Sequence, residues 1–255
     1  MTESALRLVV LGDSTAFTDN TGPRLPGTAH LYPTRLAATI AEELGQPVET
    51  TVIARAGMML RDAVRLTTKD QHVMFEVLPG ADIVVIHQAS LDVAPGGIPR
   101  LWELAVPHLR PARLRRPLRT AMTRAYPLIV RATRGRMQRT PQSEVRKHYT
   151  LLLTQVRGLT RGKAASVVLA PTSHNSPYYG HVRPRLADAT ADIARIAADH
   201  RFAFVPCWEH VEPFTARFNE DGIHWPPEAH EVIASELAKA LLPQLTGERP
   251  TPGLP

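Results

Sequence analysis

The chain has 255 residues, 44% of them apolar, which suits one α/β domain with a sizeable core and argues against a disordered chain. It holds no run of about 18 apolar residues, so a membrane-spanning helix is not expected. The net charge of +6 is uneven: eleven arginines, no lysine and one acid, Glu103, lie between Ile98 and Pro141, so that stretch carries +10 and the rest of the chain −4.

Met1-Thr-Glu-Ser-Ala leads almost directly into an apolar strand, Leu6–Leu11, so no signal peptide is expected. Gly12-Asp13-Ser14 follows at once. Leu31–Leu44 reads as a helix closed by Gly45, Val48–Ala54 as a strand, Met58–Leu66 as a short helix and Ile83–His87 as a strand. Alternation then breaks from Ala94 to Pro141, a proline-rich stretch. Within it Leu118, Met122, Ala125, Ile129 and Thr133 fall on one helical face, and Arg119, Arg124, Arg131 and Arg134 lie mostly elsewhere. Such a helix suits a flap packed on the domain, or a basic amphipathic helix on a membrane or a partner. Alternation resumes with a helix from Glu144 to about Leu159, a strand Ser166–Ala170, a helix Arg183–His200, a strand Phe202–Pro206 and a helix Pro227–Leu242. Short apolar strands between helices predict a five-stranded parallel sheet in a three-layer α/β/α sandwich, with an arginine-rich helical insert. One catalytic domain over 1–245 is expected, with its insert at about 94–141 and a disordered tail at 246–255. The lone cysteine, Cys207, follows an apolar run and reads as core packing. With no internal disulfide possible, the chain fits a reducing cytoplasm. No Cys/His set has zinc spacing, and neither a metal nor a cofactor is expected.

A buried strand that stops at a glycine delivers the next side chains to the carboxyl edge of the sheet, where ligands bind in open α/β folds. Ser14 stands there as a nucleophile. A serine needs a base within hydrogen-bond reach and a carboxylate to orient that base. Asp221-Gly-Ile-His224, in the loop before the last helix, supplies both in one turn.

These motifs resemble the SGNH hydrolases, or GDSL esterases and lipases, over Leu6 to about Leu242. Arg55-Ala-Gly57, Leu109–Arg116, Asp221–Trp225 and Glu228-Ala-His230 resemble in particular the diglucosylglycerate octanoyltransferase branch. The resemblance implies a flavodoxin-like sandwich, acyl-ester chemistry through an acyl-serine, and an oxyanion hole of three donors. Two of these are the backbone N–H groups of Ser14 and Gly57. The third, usually an asparagine in Gly-x-Asn-Asp, departs from the pattern: Ala89-Ser90-Leu91-Asp92 puts a leucine there, and Gln88 or Ser90 is left to fill the role.

Asp13, His174, Asn175 and Trp225 are expected at the substrate; His174 lies just beyond the fourth strand, at the same edge as Ser14. His87 and His230 read as structural. The triad serves hydrolysis and transfer alike. An arginine-rich flap favours an anionic donor such as acyl-CoA or acyl-carrier protein, and hence O-acyl transfer to a sugar or other hydroxylated metabolite. A carboxylic ester hydrolase and an inactive binding scaffold are the alternatives. Residues 98–141 would meet a carrier protein or a membrane surface. Nucleic acid is disfavoured, because only Trp102 and Tyr126 interleave the arginines.

Overall fold

The computed structural model describes residues 4–25, 27–98 and 105–247. Five parallel strands form its sheet: β1 (Leu6–Gly12), β2 (Val48–Ala54), β3 (Ile83–His87), β4 (Ala165–Leu169) and β5 (Ala203–Val205), in the order β2-β1-β3-β4-β5. Val10 of β1 sits beside Val52 on one side and Val85 on the other, so the strand that leads to Ser14 is paired along both edges.

Successive residues of a strand face opposite sides, and both sides here are dry. Val9 and Leu11 enter one core with α2 (Leu60–Lys69), α5 (Gln142–Leu159) and α6 (Leu186–Asp199). Leu8 and Val10 enter the other, with α1 (Tyr32–Leu44) and α7 (Pro227–Leu245). This is the expected three-layer sandwich. The strand spans Val48–Ala54 and Ile83–His87 match the sequence reading, and the other strands shift by one residue at one or both ends.

Between β3 and α5 lie a one-turn helix, α3 (Ser90–Val93), and the long helix α4 (Arg115–Ala132). The five residues expected on the inner face of α4 are half-buried, whereas Tyr126 and Val130 beside them are fully buried. Those two form a small core of their own with Ala94 and Tyr179, and Ile98, Val182 and Ile223 pack against it. The Tyr126 hydroxyl donates to the Pro95 carbonyl at 2.8 Å, and its ring stacks on Tyr178 at 4.2 Å. Most of the tail expected from Thr246 onward lies outside the described residues. No described helix is long and apolar enough to cross a membrane.

Candidate active site

The carboxyl ends of β1 to β4 deliver one loop each to a common cavity of about 380 Å³. Ser14 comes from the β1 loop, Gly57 from the β2 loop, Ser90 and Leu91 from the β3 loop, and Thr172 to His174 from the β4 loop. Asp221, Ile223 and His224 close it from the loop before α7. Phe17, Pro23, Leu91, Ala94, Tyr179 and Ile223 make its wall largely apolar.

Ser14 starts a single 3-10 turn, Ser14–Ala16, set by its neighbours. Asp13 Oδ1 accepts the Thr15 N–H at 3.0 Å and the Thr15 hydroxyl at 2.7 Å. Asp13 is therefore a turn cap, and it also lines the cavity, where it was expected. Gly12 fits because a Cβ there would lie 2.9 Å from Ala16 Cβ. With the Thr15 proton committed to Asp13, Thr15 Oγ1 accepts from His87 Nδ1, 3.2 Å away. His87 is fully buried among Tyr32 and Trp225, and burial pushes its pKa down. It supports the nucleophile's turn from below.

Ser14 Oγ lies 3.0 Å from His224 Nε2, and His224 Nδ1 lies 2.9 Å from Asp221 Oδ2. With Nδ1–H donated to the carboxylate, Nε2 is left as the acceptor for the serine proton. Burial alone would raise the Asp221 carboxyl, but hydrogen bonds from His224 and Asn219 outweigh it and hold the group below its ordinary range. The sequence reading missed Asn219. Its Oδ1 accepts the His224 N–H at 3.1 Å and the Ile223 N–H at 3.3 Å, and its own N–H donates to the His224 carbonyl at 3.2 Å. An asparagine two residues before Asp221 in a tight turn was the available signal.

No hydrogen bond among the described residues uses the backbone N–H of Ser14 or of Gly57. Gly57 has φ +71°. Of the two side chains left open for the third donor, Ser90 lines the cavity and its Oγ accepts the Thr172 N–H at 3.3 Å, leaving its own proton to give. Gln88 does not reach the cavity: it is fully buried, with Nε2 4.0 Å from Met58 Sδ. Leu91 lines the wall and has no donor. Asp92, the final acid of that run, accepts the Leu60 N–H at 2.8 Å and the Thr140 hydroxyl at 2.7 Å, which ties the β3 loop to α2 and to the insert.

His174 does line the cavity, with 5% of its surface exposed. Its Nδ1 accepts the Ser176 N–H at 3.4 Å, so the ring proton sits on Nε2, which has no partner among the described residues. Burial, with Arg183 and His181 adding to it, pushes the group down to about 4, so it stays neutral and donates. Asn175 and Trp225 take other roles than expected. Asn175 Oδ1 pairs with His181 Nδ1 at 3.0 Å, and Trp225 is fully buried, its Nε1–H on Thr172 Oγ1 at 3.2 Å. Neither borders the cavity. His230 is buried beneath Tyr32, whose N–H it accepts at 3.3 Å, and Cys207 is buried with its thiol pushed up by burial. No metal-ligating cluster occurs among the described residues.

No protein-family model matches the chain. It is 26% identical over 240 residues to diglucosylglycerate octanoyltransferase of Mycobacterium tuberculosis, covering 92% of this chain and 91% of that one. It is 27% identical over 207 residues to the enzyme of the same name from Mycolicibacterium hassiacum, covering 79% and 82%. Among solved structures it is similar to the lipase Lip_vut3 from a goat rumen metagenome, at TM-score 0.63, 14% identity and coverage of 92% and 97%. It is also similar to a lipase/acylhydrolase from Enterococcus faecalis, at TM-score 0.60, 12% identity and coverage of 94% and 96%. The chain has the SGNH-hydrolase fold, and its sequence is similar to the octanoyltransferases.

Proposed function

We propose that this chain is a serine acyltransferase, moving an acyl group from an activated donor through an ester on Ser14 to a hydroxyl of a sugar-like acceptor. The observation that carries the reading is the relay from Asp221 through His224 to Ser14 on the wall of an apolar cavity. As Ser14 Oγ attacks the acyl carbonyl carbon, its proton passes to His224 Nε2. The donor's thiol or alcohol leaves with that proton. An acceptor hydroxyl then gives its proton to His224, attacks the acyl-serine, and Ser14 regains its hydrogen. The N–H groups of Ser14 and Gly57 and the hydroxyl of Ser90 stabilise the oxyanion, each worth about 10²–10³ in rate. The neutral His174 Nε2–H donates to a substrate oxygen.

The two octanoyltransferases make a medium-chain acyl-CoA or acyl-carrier protein the first donor to test and a glucosylated glycerate the first acceptor. Ester hydrolysis is the second reading. It is favoured by the Asp221 side chain, 44% exposed, which leaves water at the edge of the relay. Product analysis separates the two. Octanoyl-CoA supplied with diglucosylglycerate should give octanoyl ester in excess over free octanoate. Free octanoate alone, whatever the acceptor, makes the protein a hydrolase.

A further inference from the structure

The inner face of α4 builds the small core beside the cavity; its outer face packs against no described residue outside the helix. Leu114, next to the helix start, is 50% exposed and Leu128 is 64% exposed. With 3.6 residues per turn, these two fall on one outward stripe with the exposed Pro117 and Ala121, about 21 Å long. Arg113, Arg124 and Arg131 run along one flank of that stripe, all exposed, and none forms an ion pair among the described residues. From Ala105 to Pro141 the chain has ten arginines and no acid.

We propose that this stripe seats the protein on an anionic phospholipid surface, with Leu114 and Leu128 entering the headgroup region and the flanking arginines on lipid phosphates. Charge complementarity selects the occupant. A second copy of the chain would bring one cationic helix against another. A nucleic acid would answer the arginines but leave the leucines in water. An anionic bilayer answers both, because amphipathic helices bind it through buried apolar area and attraction to anionic lipids together. Leucines projecting from a convex helix need no matching groove in a bilayer. Tyr126, on the inner face, stacks on Tyr178 and meets Tyr179 edge-on, and Tyr179 lines the Ser14 cavity. Docking would therefore set the cavity rim beside the lipid.

The test is vesicle flotation of the full chain, with phosphatidylcholine alone and with added phosphatidylglycerol. The proposal expects flotation with the anionic vesicles only. Each arginine near such a surface is worth about fivefold in partitioning, so Arg113→Gln/Arg124→Gln/Arg131→Gln together should weaken it about a hundredfold. Leu114→Ser/Leu128→Ser, at exposed positions outside the core, should weaken it at least about tenfold with an unchanged circular dichroism spectrum. Ser14→Ala should float like the parent, since the surface is independent of the acyl-serine reading. Absence of flotation, or equal flotation with phosphatidylcholine alone, overturns the proposal. So does binding that survives the leucine variant yet is displaced by a soluble acidic carrier protein or by RNA, which would assign the arginines to a macromolecule instead.

Discussion

Asn175 donates its backbone N–H to the Gly222 carbonyl at 2.7 Å, and Gly222 approaches so closely that a Cβ on it would lie 2.5 Å from the Asn175 carbonyl oxygen. Gly222 also has φ +70°, where a side chain is strained. The β4 loop, which carries His174, is thus locked to the loop that carries Asp221 and His224. Gly222→Ala should force the two apart. A displacement of about 1 Å at a reacting group costs on the order of 10²-fold. We expect ester turnover to fall by that much, with a much smaller fall in melting temperature. Unchanged turnover would mean that the contact does not position His224.

Asn219 holds the same loop through three hydrogen bonds to the His224 and Ile223 backbone. Asn219→Ala should lower kcat about tenfold or more with KM little changed, because the lost contacts set the base rather than the substrate. A pure KM effect would place Asn219 in binding instead.

Ser90→Ala should cost about tenfold or more in kcat, and Gln88→Ala should leave kcat within about twofold, since only Ser90 borders the cavity. Leu91→Asn tests the same point from the other side. A rise in turnover would mean that the third donor place is unfilled in the parent chain; no rise would mean that Ser90 already occupies it.

The buried histidines set a pH dependence of stability. Burial lowers His174 to about 4 and His230 to about 3, both from 6.5, and lowers His87 as well. Below 6.5 the unfolded chain takes up protons that the folded one refuses. Stability is therefore full above 6.5 and falls as pH drops toward those folded values, by at most about 1.4 kcal/mol per pH unit for each histidine. Melting temperature should decline steadily from pH 6.5 to pH 4.5. His174→Gln, which cannot titrate, should flatten part of that decline; an identical slope would show that His174 is protonated in the folded state.

Much of this was legible in the sequence. Ile83–His87 and Val48–Ala54 are short apolar runs bounded by turns, and the structure keeps their limits. Ser14 follows a strand end and the Asp221–His224 turn precedes a helix, so chain order placed both near one edge, whereas Gly57 came from the family resemblance. The inner face of α4 was harder to read. Leu118, Met122 and Ile129 marked roughly the right side, but Tyr126 and Val130 carry the burial because Tyr178, Tyr179 and Ala94 come from other loops to meet them. Trp225 and Asn175 sit one residue beyond and one residue after cavity-lining histidines. Adjacency in sequence does not fix direction, and both side chains turn away from the cavity. Asn219 organises His224 largely through backbone groups, and its one signal in the sequence is its place two residues before Asp221 in a tight turn.

Intact-protein mass spectrometry of the chain with acyl-CoAs of several lengths, beside Ser14→Ala and Asp221→Asn, tests the central claim most directly. The account predicts an acyl adduct on Ser14 that is absent in Ser14→Ala and forms at least about a hundredfold more slowly in Asp221→Asn. That adduct should persist in water and discharge when a glycosylated acceptor is added. No adduct from any donor or from a serine-reactive phosphonate, or an adduct that survives Ser14→Ala, would contradict it.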